Sequence, residues 1–269
     1  MKKPVRLLAL LAVAAFAREA QATPSTIFWT PATTYVQPFL VPHLGMDAYV
    51  GDRAAYPLDL GLTIGILPFE KLQAEVGLDA FLPYAGGFFL PPAGPLMLNA
   101  KVGIPDGAFG EWFPGISAGI YGVGLTSSMQ FDILHGEIGK AFSFGTFTVG
   151  GYYGAGGGDV LWTGSSGVVR GGFIGSYLSP DVVLDLKGLN KINFFADVQT
   201  GKNAFGAWGF GIGAYFTPAI AILTGPIFFL DKTVQPPFGP SGQNMMWTIQ
   251  LDVDLDFAPA PKAPEPPKA

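Results

Sequence analysis

Residues 247–257 read Trp247-Thr248-Ile249-Gln250-Leu251-Asp252-Val253-Asp254-Leu255-Asp256-Phe257, and apolar and polar side chains alternate without a break. Because successive side chains of a β-strand point to opposite faces, one face is entirely apolar and the other carries three aspartates. Three carboxylates on one face do not fit a dry core without partners. The stretch therefore predicts a strand with a wet interior on one side and lipid on the other. At about 3.3 Å per residue and a tilt of roughly 40°, it spans about 25 Å of membrane.

The first 22 residues have the pattern of a secretory signal. Basic residues precede an apolar core at 7–17, which is too short for a transmembrane helix, and an Ala-Gln-Ala cleavage site follows at 20–22. The last twelve residues contain five prolines, which predicts an extended tail. We read this tail as an inert solvated segment or as a contact for an envelope partner. The predicted organisation is a cleaved signal at 1–22, a barrel at 23–257 and a periplasmic Pro-rich tail at 258–269.

Composition excludes several classes of function. Removing the predicted signal changes the formal net charge from -5 to -8, and an acidic protein is a poor partner for nucleic acid. The chain has no cysteine, so disulfides, thiolate metal sites and cysteine nucleophiles are excluded. Charged residues make up only 13% of the chain, against about a quarter in a typical soluble domain. Since no apolar run of 18 residues follows the signal, we expect membrane-spanning strands rather than helices, and we expect no cofactor or metal.

Alternating segments recur along the chain, and no convincing helical stripe interrupts them. The sequence predicts one all-β domain, a single antiparallel transmembrane barrel of about 12 strands. The predicted strands lie near 35–49, 57–67, 72–82, 95–104, 115–125, 129–142, 146–155, 167–178, 190–200, 205–216, 219–230 and 247–257. The pattern is weakest in the fifth and sixth strands, where we expect a bulge.

The connections between these strands alternate in length, as in outer-membrane barrels. An even strand number places both termini on one side, predicted to be the periplasm, with short turns at 68–71, 143–145 and 217–218. Longer external loops are predicted at 83–94, 156–166 and 231–246. Strand parity also places five glycines on the inner face, where they give curvature, an open lumen or room for a plug: Gly61, Gly65, Gly209, Gly211 and Gly213.

The predicted inner face is strongly acidic. By strand parity Gln37, His43 and Asp47 share this face. The charged side chains that we expect to line the lumen and to set selectivity are Asp47, Asp59, Glu75, Asp79, Lys101, Arg170, Asp197, Asp252, Asp254 and Asp256. Such an excess of acids favours cations in a narrow aqueous pore. An aromatic girdle at the membrane interfaces is predicted at Trp208, Phe216, Trp247 and Phe257.

The signal peptide, the even strand number and the final alternating strand ending in Phe257 resemble those of bacterial outer-membrane β-barrel proteins. The resemblance implies an outer-membrane location, lipid and the barrel-assembly machinery as partners, and a porin-like channel for small hydrophilic solutes. It also implies that an assembly signal lies at Trp247, Leu251, Val253, Leu255 and Phe257. The chain differs from the class in continuing beyond its terminal aromatic residue. The oligomeric state and the solute stay open.

Three other interpretations remain at this stage. The first is a closed structural barrel whose loops or tail bind an envelope partner. The second is an outer-membrane lipid hydrolase: residues 115–119 match G-x-S-x-G, and Ser117, His135 and Glu137 are of the types needed for nucleophilic catalysis. No helix is predicted after this motif, and we expect no enzyme activity. The third is a soluble β-sandwich, since its strands would also alternate.

Overall fold

The computed structural model describes residues 26–51, 58–82, 96–125, 130–156, 159, 161–233 and 244–255. These residues form strands and connections. The strands are β1 (Pro42–Gly51), β2 (Leu58–Gly65), β3 (Gln73–Leu82), β4 (Leu96–Ile104), β5 (Gly115–Gly124), β6 (Ile133–Phe142), β7 (Gly145–Gly154), β8 (Thr163–Gly164), β9 (Gly167–Val168), β10 (Gly171–Leu178), β11 (Val182–Leu186), β12 (Leu189–Gln199), β13 (Ala207–Thr217), β14 (Ile220–Phe229) and β15 (Met245–Asp254). No helix in this part of the chain is long and apolar enough to cross a membrane.

Twelve of these strands close into one antiparallel barrel. Each of β1–β7, β10 and β12–β15 pairs with its two neighbours in the ring. The ring closes where β1 pairs with β15, from His43 opposite Asp254 to Gly51 opposite Met246. β11 extends the edge of β12 beyond its pairing with β10, and β8 and β9 form a short hairpin. The prediction of a single twelve-stranded barrel is confirmed.

The predicted bulge is also present. The pairing of β4 with β5 shifts between Leu98 and Ala100, because β5 carries an extra residue opposite Asn99. The Asn99 side-chain oxygen accepts a hydrogen bond from the amide of Gly122 at 2.9 Å, which gives the interrupted ladder an alternative partner. The pairing of β6 with both neighbours is regular, so the bulge belongs to the fifth strand.

The side chains alternate as a lipid-facing barrel requires. Polar residues such as Glu75, Asn193 and Gln250 point inward and are buried, whereas Leu98, Val149 and Ile249 point outward and are exposed. Trp208, Phe216 and Trp247 of the predicted girdle all lie on the outer surface, and Trp208 stacks on Phe228 with ring centroids 4.7 Å apart. Leu251, Val253 and Leu255 are partly buried on the outward side of the last strand. Asp256 and Phe257 lie outside the described residues.

One predicted strand is wrong at its start. Residues 35–41, predicted as the beginning of the first strand, do not join the ring, because β1 begins at Pro42. Instead, the chain before β1 enters the barrel: residues 26–41 are here called the lumenal segment, and all of them except Thr26 and Leu40 are buried or partly buried. Ala32 is fully buried and Val36 is 2% exposed. Gln37 therefore belongs to this segment rather than to the inner face of the first strand.

We name the two ends of the barrel by their connections. The turn end carries the connections at 66–72, 143–144 and 218–219, close to the predicted short turns. The loop end is the opposite one, where β1, β3 and β5 finish. The lumenal segment is continuous with β1 at the turn end, where the Leu40 amide donates to the Gly65 carbonyl at 2.9 Å.

An arginine on the outer face tests the lipid-facing surface. Ile249 lies midway along β15 and is 46% exposed, so Ile249→Arg places a charge in the centre of the apolar band. We expect a loss of about 2–4 kcal/mol in the free energy of unfolding, measured by urea titration in lipid vesicles. Val183→Arg is the control, since Val183 lies on β11, which extends beyond the ring, and is 80% exposed. Equal losses for the two variants would contradict this assignment of the outer surface.

Candidate functional site

The candidate site is the lumen together with the segment that occupies it. The strongest contact is made by Asp197 of β12, which is 4% exposed. One oxygen of its carboxylate accepts hydrogen bonds from the consecutive backbone amides of Phe28, Trp29 and Thr30, at 3.1, 2.7 and 2.9 Å. Hydrogen bonds to a charged acceptor are roughly twice as strong as neutral ones. Asp197 was predicted to line the lumen, and the structure uses it as an anchor for the lumenal segment.

Further hydrogen bonds hold the lumenal segment around the barrel wall. On β15, Gln250 donates to the Phe28 carbonyl at 2.7 Å, and Asp254 accepts from the Gln37 side chain at 2.9 Å. On β3, Glu75 accepts from the Gln37 amide at 2.5 Å. The Ser176 hydroxyl donates to the Ala32 carbonyl, and the Ser117 Oγ lies 3.2 Å from the Thr33 carbonyl oxygen. The segment is thus tied to strands on several sides of the ring rather than to one wall.

Apolar packing reinforces these hydrogen bonds. The Phe28 ring lies 4.7 Å from that of Phe195, and the Trp29 ring lies edge-on to Tyr49 and Phe229 at 6.1 and 5.6 Å. A buried cluster forms around this part of the segment: Ile27, Phe28, Tyr49, Phe195, Ala207, Tyr215, Ala221, Leu223, Ile227 and Met246. Burial of such side chains contributes roughly 1.5–3 kcal/mol each, so the lumenal segment is part of the barrel core.

Two of the predicted inner-face glycines give this segment room. A side chain at Gly65 would place its first carbon 2.2 Å from the carbonyl oxygens of Gln37 and Pro38, and one at Gly209 would lie 2.9 Å from the Phe28 ring. The interpretation of these two positions as room for a plug is therefore supported. At Gly61, Gly211 and Gly213 the nearest atoms belong to the wall itself.

At the loop end a second element enters the lumen. Residues 161–170, here called the loop-end hairpin, contain β8 and β9 and carry Trp162, which is fully buried. Its ring lies 5.0 Å from that of Phe205, and its indole nitrogen donates to the Gly156 carbonyl at 2.6 Å. Trp162 shares a buried cluster with inward-facing wall residues and with Ala32 of the lumenal segment: Ala32, Met97, Phe131, Ile133, Tyr152, Ile174, Ala204 and Phe205.

Asp231 fixes the loop-end hairpin to the connection after β14. Its carboxylate accepts from the amide of Ser165 at 2.7 Å, and from the amide and hydroxyl of Thr233 at 2.9 and 2.7 Å. Burial opposes ionisation, but the hydrogen bonds from Ser165 and Thr233 outweigh it and hold the pKa of Asp231 below its usual range.

Apart from Asp197, the predicted charged residues in the described part of the chain divide into three groups. Glu75 pairs with Lys101 at 3.7 Å, while Asp252 and Asp254 lie 3.3 and 2.9 Å from the ring nitrogens of His43. Asp47, Asp59 and Asp79 line a cavity between the lumenal segment and the wall, described below. Arg170 lies just before β10 at the loop end, where it binds Asp159 at 2.9 Å and the carbonyls of Gly154 and Gly156.

Ser117, Glu137 and His135 meet inside the lumen, but in an order that differs from a catalytic triad. Ser117 donates to one oxygen of Glu137 at 2.7 Å, and the other oxygen lies 2.5 Å from His135 Nδ1. A nucleophilic serine gives its proton to an imidazole, whereas here the carboxylate stands between the two. Ser117 also touches the Thr33 carbonyl. The cluster is a buried structural network that helps to hold the lumenal segment.

Two features of the site were not predicted from the sequence: the entry of residues 26–41 into the lumen and the burial of Trp162 in the loop-end hairpin. The inner face of β14 is apolar at Ala221, Leu223 and Ile227, which a water-filled lumen would not favour, so the sequence did signal an internal cover. Pro38 also argued against a strand at 35–41. A proline alone is a weak argument against a strand here, because β14 contains Pro226 and still pairs in the ring. Nothing in the spacing of the loop-end hairpin indicated that Trp162 would be buried.

Comparison with known proteins gives similarity of structure only. No protein-family model matches the chain, and no curated protein sequence matches it. Among solved structures, the NanC porin aligns with 79% of this chain and 100% of its own, at 9% identity and a TM-score of 0.45. An outer membrane channel from Pseudomonas putida F1 aligns with 84% of this chain and 99% of its own, at 12% identity and 0.47. A mutant porin of Rh. blastica aligns with 80% of this chain and 99% of its own, at 7% identity and a TM-score of 0.37.

These aligned structures are two porins and one outer membrane channel. With identities this low and TM-scores below 0.5, the alignments identify neither a family nor a solute. The barrel architecture rests on the strand pairing of this chain itself, which closes between β1 and β15.

Replacing Asp231 tests the attachment of the loop-end hairpin. Asp231→Asn removes the charge that three donors share, so we expect hydrogen exchange at the Ser165 amide to become about tenfold faster at pH 7. A group with a lowered folded-state pKa stabilises fully above its unfolded pKa of about 3.9, and this stabilisation is lost as pH falls through the folded value. The wild-type Ser165 amide should therefore keep its protection down to about pH 5.

Asp181→Asn serves as the control for that experiment. Asp181 is an aspartate at the turn end, paired with Lys191 at 2.7 Å, and it does not contact the hairpin. Unchanged exchange at Ser165 in Asp231→Asn would show that the carboxylate does not fix the hairpin.

Proposed function

We propose that this protein is an outer-membrane, porin-like channel for small hydrophilic solutes, closed in this conformation by the lumenal segment. The observation that carries the proposal is the occupation of a twelve-stranded lumen with many polar side chains by residues 26–41, which are hydrogen-bonded to several strands of the wall. The apolar outer face supports the membrane location. In this proposal the segment is the gate, and conduction requires its release.

The charge of the lumen supports a preference for cations. Seven predicted acidic residues with described side chains face the interior: Asp47, Asp59, Glu75, Asp79, Asp197, Asp252 and Asp254. The basic side chains beside them are Lys101, His43 and His135, and each of them lies against a carboxylate. Acidic linings of this kind favour cations and repel anions in a narrow pore.

The lumenal segment is attached so that it can leave in one direction. It continues into β1 at the turn end, whereas its Trp29 reaches the Phe205 carbonyl near the loop end at 2.7 Å. Withdrawal toward the turn end breaks the contacts with Asp197 and Gln250 without breaking the ring. Asp197 holds three of the amides involved, so this carboxylate is the main anchor of the closed state.

A closed structural barrel is the second candidate. Its support is the loop-end hairpin, whose Trp162 is buried in the lumen. The contacts of Trp162 do not involve Asp197, so release of the lumenal segment from Asp197 would leave the hairpin in place. A barrel closed by two elements would act through its surface. An envelope partner for the Pro-rich tail, the role of the barrel-assembly machinery and the cleavage of residues 1–22 stay predictions.

Release of the segment is tested by conductance in planar bilayers. Asp197→Ala leaves three amides without their acceptor, and a variant lacking residues 26–37 removes the gate. We expect brief, rare openings for the parent chain and sustained cation-selective steps for both variants, with selectivity measured from the reversal potential in a salt gradient. Asp181→Ala, which removes an acidic side chain at the turn end, should behave like the parent.

The folding of each variant is verified by heat-modifiable mobility before conductance is recorded. Silence from both folded variants would contradict the channel and favour the closed structural barrel. Steps without cation preference would retain the channel and remove the proposed selectivity.

A further inference from the structure

We propose that the cavity between the lumenal segment and the wall binds a small organic ammonium ion. The cavity has a volume of about 190 Å³. That space is enough for several water molecules, and it accommodates an ion of the size of choline. The cavity lining contains phenylalanine rings and Glu75, and the side chains on which the proposal rests are these: Trp29, Tyr49, Tyr121, Asp47, Asp59, Asp79 and Asp252.

Within the described residues, the ion pairs of these four carboxylates are limited to that of Asp252 with His43 at 3.3 Å. Among the described residues, Asp59 has no hydrogen bond or ion pair from its side chain, and its Oδ1 is buried without a partner. Asp79 accepts from Asn99 at 2.5 Å and Asp47 lies 3.4 Å from the Tyr49 hydroxyl, so both have neutral partners. Asp252 is 4% exposed and faces His43 with Oδ1, but its Oδ2 is buried without a partner.

The basic side chains that line the cavity already lie against other carboxylates. Lys101 lies beside Glu75, His43 lies between Asp252 and Asp254, and His135 contacts Glu137. The strand register brings the remaining acids together, because Asp47 and Asp59 are direct neighbours on β1 and β2. Like charges directly opposite each other destabilise a sheet, and either a bound cation or protonation of one carboxyl group relieves the repulsion.

The aromatic rings distinguish an organic cation from a metal ion. No group of three or more histidine, cysteine, aspartate or glutamate side chains in the described part of the chain is arranged to hold a metal. Trp29 and Tyr49 instead place two rings edge to face, 6.1 Å apart, beside the acids. Aromatic faces combined with carboxylates are the usual surroundings of an ammonium group, since both attract positive charge and the rings also accept its alkyl carbons.

Gly45 keeps this space open. It lines the cavity between His43 and Asp47 on β1, and a first side-chain carbon there would meet no atom within 4 Å. A larger residue can therefore fill the cavity without displacing the backbone. Trp29 belongs to the lumenal segment, so the complete site exists only in the closed state. The binding deepens the proposed function by naming its solute class, but it does not depend on conduction.

The experiment is calorimetric titration of the folded, full-length protein in detergent micelles with choline. The neutral analogue 3,3-dimethylbutan-1-ol, which has the same shape, is titrated in parallel. We expect choline to bind and the alcohol to bind at least about tenfold more weakly, because only the ammonium ion pairs with the carboxylates. Asp59→Asn should weaken choline binding by about tenfold or more. Gly45→Leu should abolish it, and the Asp181→Asn control should leave it unchanged.

Absence of choline binding by the folded protein would overturn the proposal. Equal affinity for choline and the neutral alcohol, or binding that survives both Asp59→Asn and Gly45→Leu, would also overturn it. Choline binding by a protein that conducts no ions in bilayers would uphold the cation site and contradict the channel. Conduction without choline binding would uphold the channel and contradict the cation site. The two proposals can therefore fail separately.

Discussion

The pairing of β1 with β15 is the constraint on which the rest of the structure depends. A membrane leaves backbone amides and carbonyls no water to bind, and each unpaired group costs several kcal/mol, so the sheet has to close. Closure fixes which face of every strand points inward, since a shift of one residue would turn the aspartates of β15 toward lipid. The polar lumen is therefore a consequence of the closed ladder, and the apolar outer face is its counterpart.

A closed polar lumen creates a second requirement, because the groups inside need partners. The lumenal segment supplies several of them: its amides donate to one oxygen of Asp197 and one of Glu75, and its Phe28 carbonyl accepts from Gln250. Where the wall is apolar, at β14, the segment presents Ile27 and Phe28 instead. This matching of polar to polar and apolar to apolar makes residues 26–41 part of the fold. Asp47, Asp59, Asp79 and Asp252 instead line the cavity between the segment and the wall.

The architecture could be predicted from sequence because it depends on a period of two, which the alternation in residues 247–257 shows directly. Most predicted strand boundaries lie within a few residues of the observed ones. The exception, 35–49, failed because local alternation cannot tell a strand that joins the ring from an extended segment that lies inside it. The choice depends on long-range contacts such as that between Trp29 and Asp197, which are 168 residues apart. The inward position of seven acids followed from parity, but their partners did not, because hydrogen bonding across the lumen has no local pattern.

The central claim is that residues 26–41 occupy the lumen, and thiol labelling tests it most directly. The chain has no native cysteine, so a single cysteine at position 32 reports on that site alone. Ala32 belongs to the lumenal segment and is fully buried. In protein folded into vesicles, Ala32→Cys should react with a water-soluble maleimide far more slowly than Ser179→Cys at the turn end, and should react fully after unfolding. Equal labelling rates of the two cysteines in the folded protein would contradict the account.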